Sequence, residues 1–345
     1  MTTYSFLDDY SEGCHPEIVA ALADTNLAQQ TAYGNDDYSI EAHRLMANEC
    51  GDPDLPVHFV SGGTLANLII AAATLRSHEA MISASSGHVA ARETGAIEAT
   101  GHKIITMPSA DGKLTAADVE GALAANAQYP HMAKPRLVYV SNATELGTVY
   151  TPDELHALRA VCTQNDLLLM IDGARLGVAL ASERAQGMSL ADIAAVADIF
   201  WVGGTKAGTL FGEAIVIANP ALATDFDYHL KQRGALLAKG RALGLQFQTL
   251  FGPDDLFRRA AVTANDAARV LAEGITGAGH PLAAATESNQ VFPVLPNPLI
   301  AALQEQFRFY LWEERADDRS VVRLVTSWAT DQAQVERFVD LVVSA

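Results

Sequence analysis

Short β-rich runs alternating with helical runs set the strongest limit on what this chain can become. Val57–Val60, Ala80–Ser83, Lys103–Met107, Arg136–Ser141, Leu167–Asp172, Ile199–Gly203 and Ala214–Ala218 read as strands. Thr64–Arg76, Thr115–Ala125 and Pro152–Gln164, lying between them, read as helices. The run Leu-Leu-Leu-Met-Ile at 167–171 is apolar at every position, which suits a strand buried on both faces. Buried strands separated by helices predict an α/β fold: a mostly parallel central sheet with helices on both faces. Thr151 before Pro152 marks one helix start, with a capping hydroxyl and a proline where no N–H is needed.

Beyond Asp225 the pattern changes. A long helical stretch, Asp227–Leu250, is expected to stop near Phe251-Gly252-Pro253, and a second helix to cover Asp255–Gly274. Three β-like runs follow, Asn289–Leu295, Phe307–Trp312 and Val321–Ser327, with helices at 297–305 and 331–343. The expected division is a large domain over 1–252, with segment 1–20 free to reach the ligand site, and a small C-terminal α+β domain over 253–345. A cleft between two such units is the default ligand site.

The 23 basic residues against 41 acidic ones leave a net charge of −18, which repels phosphate backbones and argues against nucleic acid as partner. Residues 1–18 show neither a basic start nor an apolar core, and no apolar run approaches the roughly 20 residues of a membrane span. A cytoplasmic protein without membrane partners is expected. Cys14, Cys50 and Cys162 are scattered, and the ten histidines show neither H-E-x-x-H nor an i, i+4 pair, so neither a disulfide framework nor a metal site is expected.

Lys206 stands directly after a strand, in Phe200-Trp-Val-Gly-Gly-Thr-Lys-Ala-Gly. Read alone it is equally a surface lysine in a glycine-rich loop. The C-terminal rim of an open α/β sheet, however, is where ligands bind, and desolvation there favours the free amine that Schiff-base chemistry needs. Asp172 ends the preceding strand, with Arg175 three residues on, and one strand–helix–strand unit separates it from Lys206. Parallel pairing would bring both to one rim. Amine and carboxylate facing one crevice are what pyridoxal phosphate requires, the first to bond its carbonyl carbon and the second to keep its ring nitrogen protonated. Gly62, Gly63 and Thr64 open a helix whose first N–H groups can cradle a phosphate or merely be capped; neither a Walker loop nor G-x-G-x-x-G is present. His88 is either a polar surface residue or a ring that enters the crevice and relays protons. Arg323 lies inside an apolar strand and needs an anion, either a substrate carboxylate or an internal acidic side chain.

In order and spacing, Phe6-Leu-Asp-Asp-Tyr-Ser-Glu-Gly-Cys-His-Pro, Tyr33-Gly-Asn-Asp, Ser61-Gly-Gly-Thr-Leu-Ala-Asn, His88 with Glu93-Thr-Gly-Ala, Asp172-Gly-Ala-Arg-Leu and Gly204-Thr-Lys resemble the low-specificity threonine aldolases. These belong to the aromatic amino acid β-eliminating lyase group of fold-type-I pyridoxal phosphate enzymes. The resemblance implies that Lys206 carries the cofactor, Asp172 meets its ring nitrogen and His88 stacks on its ring. Gly62, Gly63 and Thr64 would hold its phosphate, with Thr205 nearby and Arg241 close to it, within the chain or across a subunit boundary. Arg175 and Arg323 would bind the substrate carboxylate, with Asp8 and Tyr33 among the substrate contacts. It further implies a homodimer or homotetramer with sites at the interface. The implied reaction is aldol cleavage of L-threonine, L-allo-threonine or phenylserine to glycine and an aldehyde. β-Elimination or transamination on the same site stays open, as does a non-catalytic protein that binds pyridoxal phosphate. Two departures stand out. Where the family often has a second histidine, Thr144-Glu145-Leu-Gly stands, so Glu145 either deprotonates the β-hydroxyl or is structural. Where the family has an N-terminal serine, Asp8 or Asp9 stands, which would repel the substrate unless turned away or salt-bridged.

Overall fold

The computed structural model describes residues 3–315 and 318–344. Its strands are β1 (Tyr4–Ser5), β2 (Val57–Val60), β3 (Glu79–Ala84), β4 (Lys103–Met107), β5 (Lys134–Ser141), β6 (Leu168–Gly173), β7 (Ile199–Gly203) and β8 (Glu213–Ile217), followed by β9 (Gln290–Val291), β10 (Val294–Pro296), β11 (Phe307–Arg308), β12 (Tyr310–Glu314) and β13 (Arg319–Val325). Seven of them form one sheet in the order β2-β8-β7-β6-β5-β3-β4. β8 runs antiparallel to both neighbours, and the remaining pairs are parallel. The seven strands read from the sequence are the seven strands of this sheet.

Alternate residues of the central strands feed two separate cores. Val138, Val140, Leu169, Ile171, Phe200 and Val202 face one, with residues of the helices Asp37–Glu49 and Pro152–Gln164. Leu137, Tyr139, Leu168, Met170, Ile199 and Trp201 face the other, with the helix Gly63–Thr74. That double burial is why these strands read as unbroken apolar runs. Each large aliphatic side chain so covered contributes roughly 1.5–3 kcal/mol, which fixes the strand ends and hence the rim above them. Thr151 caps Pro152–Gln164 as expected, in a reciprocal box with Glu154.

The structure corrects the reading beyond Asp225. The expected helix Asp227–Leu250 is two helices, Phe226–Gln232 and Arg241–Leu250. Gly234 ends the first at φ +73°, a left-handed conformation that favours glycine, and a Cβ on Gly240 would lie 2.7 Å from Gly34 N. The helix read as Asp255–Gly274 runs Leu256–Gly277, with Asp255 as its cap. The run Asn289–Leu295 divides into β9 and β10 around Pro293, which has no N–H to give a ladder. The run Phe307–Trp312 divides because β11 pairs with β1 in parallel, Tyr4 opposite Phe307, while β12 pairs with β13. Phe6 consequently sits in the core of the small sheet, its ring centroid 5.7 Å from those of both Phe307 and Phe338. Among the described residues no helix is long and apolar enough to cross a membrane.

Candidate active site

β6 and β7 are parallel neighbours, Asp172 opposite Trp201, so both leave the sheet at the same rim. Asp172 lies at the end of β6, and Lys206 follows β7 in the short turn Thr205–Ala207. The rim opens into a cleft of about 640 Å³. Asp8, His88, Glu145, Arg175 and Lys206 line it, together with Trp312 and Arg323 from the small sheet. Burial, with the nearby Arg175 charge, lowers the Lys206 ammonium below its ordinary range, against the opposing pull of Asp9, Asp172 and Glu213.

Three donors converge on Asp172. Tyr139 Oη (2.6 Å) and Asn67 Nδ2 (3.1 Å) donate to Oδ2, and Ala174 N (3.0 Å) to Oδ1. Asn67 is itself oriented by Trp201 Nε1, which donates to its carbonyl oxygen at 2.9 Å, and its amide also reaches Glu93 Oε1 at 2.8 Å. His88 Nδ1 donates to that same Glu93 oxygen at 2.8 Å. This fixes the ring's tautomer and leaves Nε2 for the cleft. The Glu93 hydrogen bond, outweighing burial, raises His88 above the ordinary imidazole value. Glu145 Oε1 accepts from Ser141 Oγ (2.7 Å) and His88 N (2.9 Å), while its Oε2 is buried without a partner. Burial raises the Glu145 carboxyl.

The two arginines differ. Arg175 gives Nε and Nη2 to Asp9 at 2.7 and 3.0 Å, and Asn289 also donates to Asp9. Burial opposes ionisation of Asp9, but the Arg175 and Lys206 charges outweigh it and hold its carboxyl at about 2. Of the two acids at the family's serine position, Asp9 is therefore the salt-bridged one, and Asp8 lines the cleft. Arg323 gives Nε and Nη2 to Gln290 Oε1 (3.0 and 2.8 Å), lies 5.4 Å over the Trp312 ring, and has no acidic partner among the described residues. Burial and the Arg175 charge push it down to about 10.

Gly62 caps the helix Gly63–Thr74 without a side-chain bond, leaving its first N–H groups open. A Cβ on Gly63 would lie 2.7 Å from the Trp201 ring, so glycine is required there. Thr205 spends its one hydroxyl proton on Glu213 Oε1 (2.9 Å) and accepts from Gly212 N (3.1 Å). In this arrangement its hydroxyl has no donor left for a phosphate.

A sequence model described as beta-eliminating lyase matches residues 6–318. The chain belongs to the beta-eliminating lyase family. It is 38% identical over 339 residues to a low specificity L-threonine aldolase of Pseudomonas aeruginosa, covering 96% of this chain and 95% of that protein. It is 35% identical over 336 residues to the low specificity L-threonine aldolase of Pseudomonas sp. (strain NCIMB 10558), covering 95% and 93%. Its structure superposes on a threonine aldolase of Leishmania major with a TM-score of 0.96, at 46% identity over 98% of each chain. The fold is the fold-type-I arrangement that the motifs implied.

Two expected site residues of this beta-eliminating lyase family member do not reach its own cleft. Tyr33 sits under Lys231 Nζ, 4.8 Å from its ring, with its backbone N–H on Ala238 O. Arg241 donates to the Thr25 and Ala28 carbonyls and stacks on Tyr38. A larger groove of about 920 Å³, bounded by Arg44, Phe251 and Arg258, holds none of the expected site residues. Asn67, Tyr139, Ser141 and Glu213 were not singled out from sequence. Asn67 had a readable signal, one helical turn beyond Gly63, as had Tyr139 and Ser141, two apart on one strand face. Glu213, buried and raised to about 7 by that burial, had none beyond its charge in an apolar strand.

Proposed function

We propose that this protein cleaves β-hydroxy-α-amino acids of the L-threonine, L-allo-threonine or phenylserine type to glycine and an aldehyde, with pyridoxal 5′-phosphate as cofactor. The observation that carries the reading is the convergence of Lys206, His88, Arg175 and Arg323 on one cleft. The names borne by the relatives support the same choice of reaction. The residues fit the cofactor: an amine with a disfavoured charge, an uncapped helix end where a Cβ would not fit, and a carboxylate fixed by three donors. Lys206 Nζ would hold the cofactor covalently, the amides of Gly62, Gly63 and Thr64 its phosphate, Asp172 its ring nitrogen and His88 its ring face. When bound, the group supplies an electron-accepting ring that stabilises negative charge at Cα.

The substrate carboxylate binds at Arg323 and the edge of Arg175 that Asp9 leaves free, which orients the Cα–Cβ bond. His88 Nε2 takes the β-hydroxyl proton, and Glu93 at Nδ1 stabilises the imidazolium that results. Trp312 walls the cleft and limits water. Tyr33 and Arg241, absent from their own cleft, complete the cleft of a second copy in a homo-oligomer. Mixing a Lys206→Ala chain with an Arg241→Ala chain should restore turnover through the hybrid sites; no recovery would argue against this sharing.

Incubation with L-threonine, L-allo-threonine and phenylserine, assaying aldehyde and glycine, tests the reaction. Equal amounts of both are expected from at least one substrate. Ammonia with a keto acid would identify β-elimination instead, and no product from any of the three would defeat the aldol reading.

A further inference from the structure

Glu145 and Asp172 end a line of four oxygens. Ser141 Oγ lies 2.7 Å from Glu145 Oε1, Tyr139 Oη 3.1 Å from Ser141 Oγ, and Asp172 Oδ2 2.6 Å from Tyr139 Oη. Tyr139, Ser141 and Asp172 are all buried. Three hydrogen bonds need three protons, and the two hydroxyls bring only two. With Tyr139 donating to Asp172 and Ser141 donating to Glu145, the two hydroxyl oxygens face each other with lone pairs alone. A buried acceptor pair of that kind is costly. One added proton fills every contact.

That proton belongs at the Glu145 end. Asp172 already takes further donors from Ala174 N and Asn67 Nδ2, as an ionised carboxylate does, whereas Glu145 Oε2 is buried with no partner. Arg175, a cation lining the same cleft, makes no hydrogen bond to Glu145 and gives Nε and Nη2 to Asp9. The other groups around Glu145 are the His88 ring, Arg92 in the same cleft lining, Asp172 with its like charge, and the Tyr139 and Tyr150 hydroxyls. We propose that Tyr139 and Ser141 act as positioning residues that hold a proton on Glu145, so that it stands in the cleft as a carboxylic acid. The donors then run in one direction: Glu145 to Ser141 Oγ, Ser141 to Tyr139 Oη, and Tyr139 to Asp172. Burial raises Glu145 in the same sense, and Ser141 opposes it only while it donates to Glu145 instead of accepting from it. A proton already in place disqualifies Glu145 as the base and leaves that step to His88. This last consequence rests on the aldol reading; the proton count does not.

Infrared difference spectra of the full-length, cofactor-loaded protein, wild type minus Glu145→Gln, test it without substrate. A carboxylic-acid carbonyl band is expected in the wild type near neutral pH, absent from the variant and shifted in D2O. Tyr139→Phe removes one of the two inner oxygens, so Glu145 no longer needs the extra proton, and the pH at which the band disappears should fall by about one unit. No acid band in the wild type would overturn the proposal, as would a midpoint unmoved by Tyr139→Phe. Should Tyr139→Phe fail to fold, the comparison with Glu145→Gln still decides. A negative infrared result leaves glycine and aldehyde production untouched, so the two failures are distinguishable.

Discussion

Replacing Asp9 by asparagine keeps the shape of the side chain and removes the charge facing Arg175. Breaking a buried ion pair by deleting one partner costs about 3–5 kcal/mol. A second route to the magnitude uses the carboxyl itself, which is held at about 2 against an ordinary 3.8. A depression of that size is worth about 2.5 kcal/mol at neutral pH. Asparagine keeps one acceptor oxygen for the guanidinium, so a loss of about 2–4 kcal/mol is expected, read from urea denaturation. Because the folded carboxyl is depressed, its contribution is fully present above the unfolded value and fades as pH falls toward 2. The stability gap between wild type and Asp9→Asn should therefore be widest near neutrality and close progressively below about pH 4. A neutral-pH gap under about 1 kcal/mol, or one that stays constant into acid, would refute the ion-pair argument.

Lys206→Ala should abolish the visible absorbance of lysine-linked cofactor; an unchanged spectrum would remove Lys206 from its role. Turnover should fall in acid as His88 protonates at a pH above the ordinary imidazole value, and Glu93→Gln should move that limb downward, since the Glu93 hydrogen bond is the chief cause of the shift. An unmoved pH–rate profile would count against the His88–Glu93 pair. Arg323→Ala should raise KM for the amino acid by roughly 10- to 100-fold, whereas an unchanged KM would place the carboxylate elsewhere. Gly244→Ala puts a Cβ within 2.5 Å of Ser39 Cα, where the helices Asp37–Glu49 and Arg241–Leu250 meet, and should cost about 1–3 kcal/mol in thermal denaturation. A melting temperature within error of wild type would show that the two helices part easily.

What could be read from the sequence was local or periodic. The central strands announced themselves because both of their faces are buried, and Asp172 and Lys206 were legible because strand ends fix where side chains emerge. What stayed hidden depends on contacts between distant segments. Asp9 meets Arg175 across 166 residues, and Arg323 meets Gln290 rather than an acid, so neither partner is visible from its own motif. The line from Asp172 to Glu145 crosses two strands and a loop, and only the register of β5 against β6 sets it. The broken helix after Asp225 was missed because helical periodicity carries across residues 233–240, although Gly234, which ends the first segment in the left-handed region, was a local signal. Tyr33 and Arg241 mark another limit: each lies in a matching motif, yet its side chain packs against other parts of the chain, away from the cleft.

The pairing of β1 with β11 joins segments some 300 residues apart in one small core. As the polypeptide is synthesised, Phe6 has no home until Phe307 and Phe338 have emerged, and nearly the whole chain must form a loop before that contact is made. Asp9 lies three residues beyond Phe6. Its grip on Arg175, and with it the finished cleft, therefore waits on the segment that carries Phe307 and Phe338.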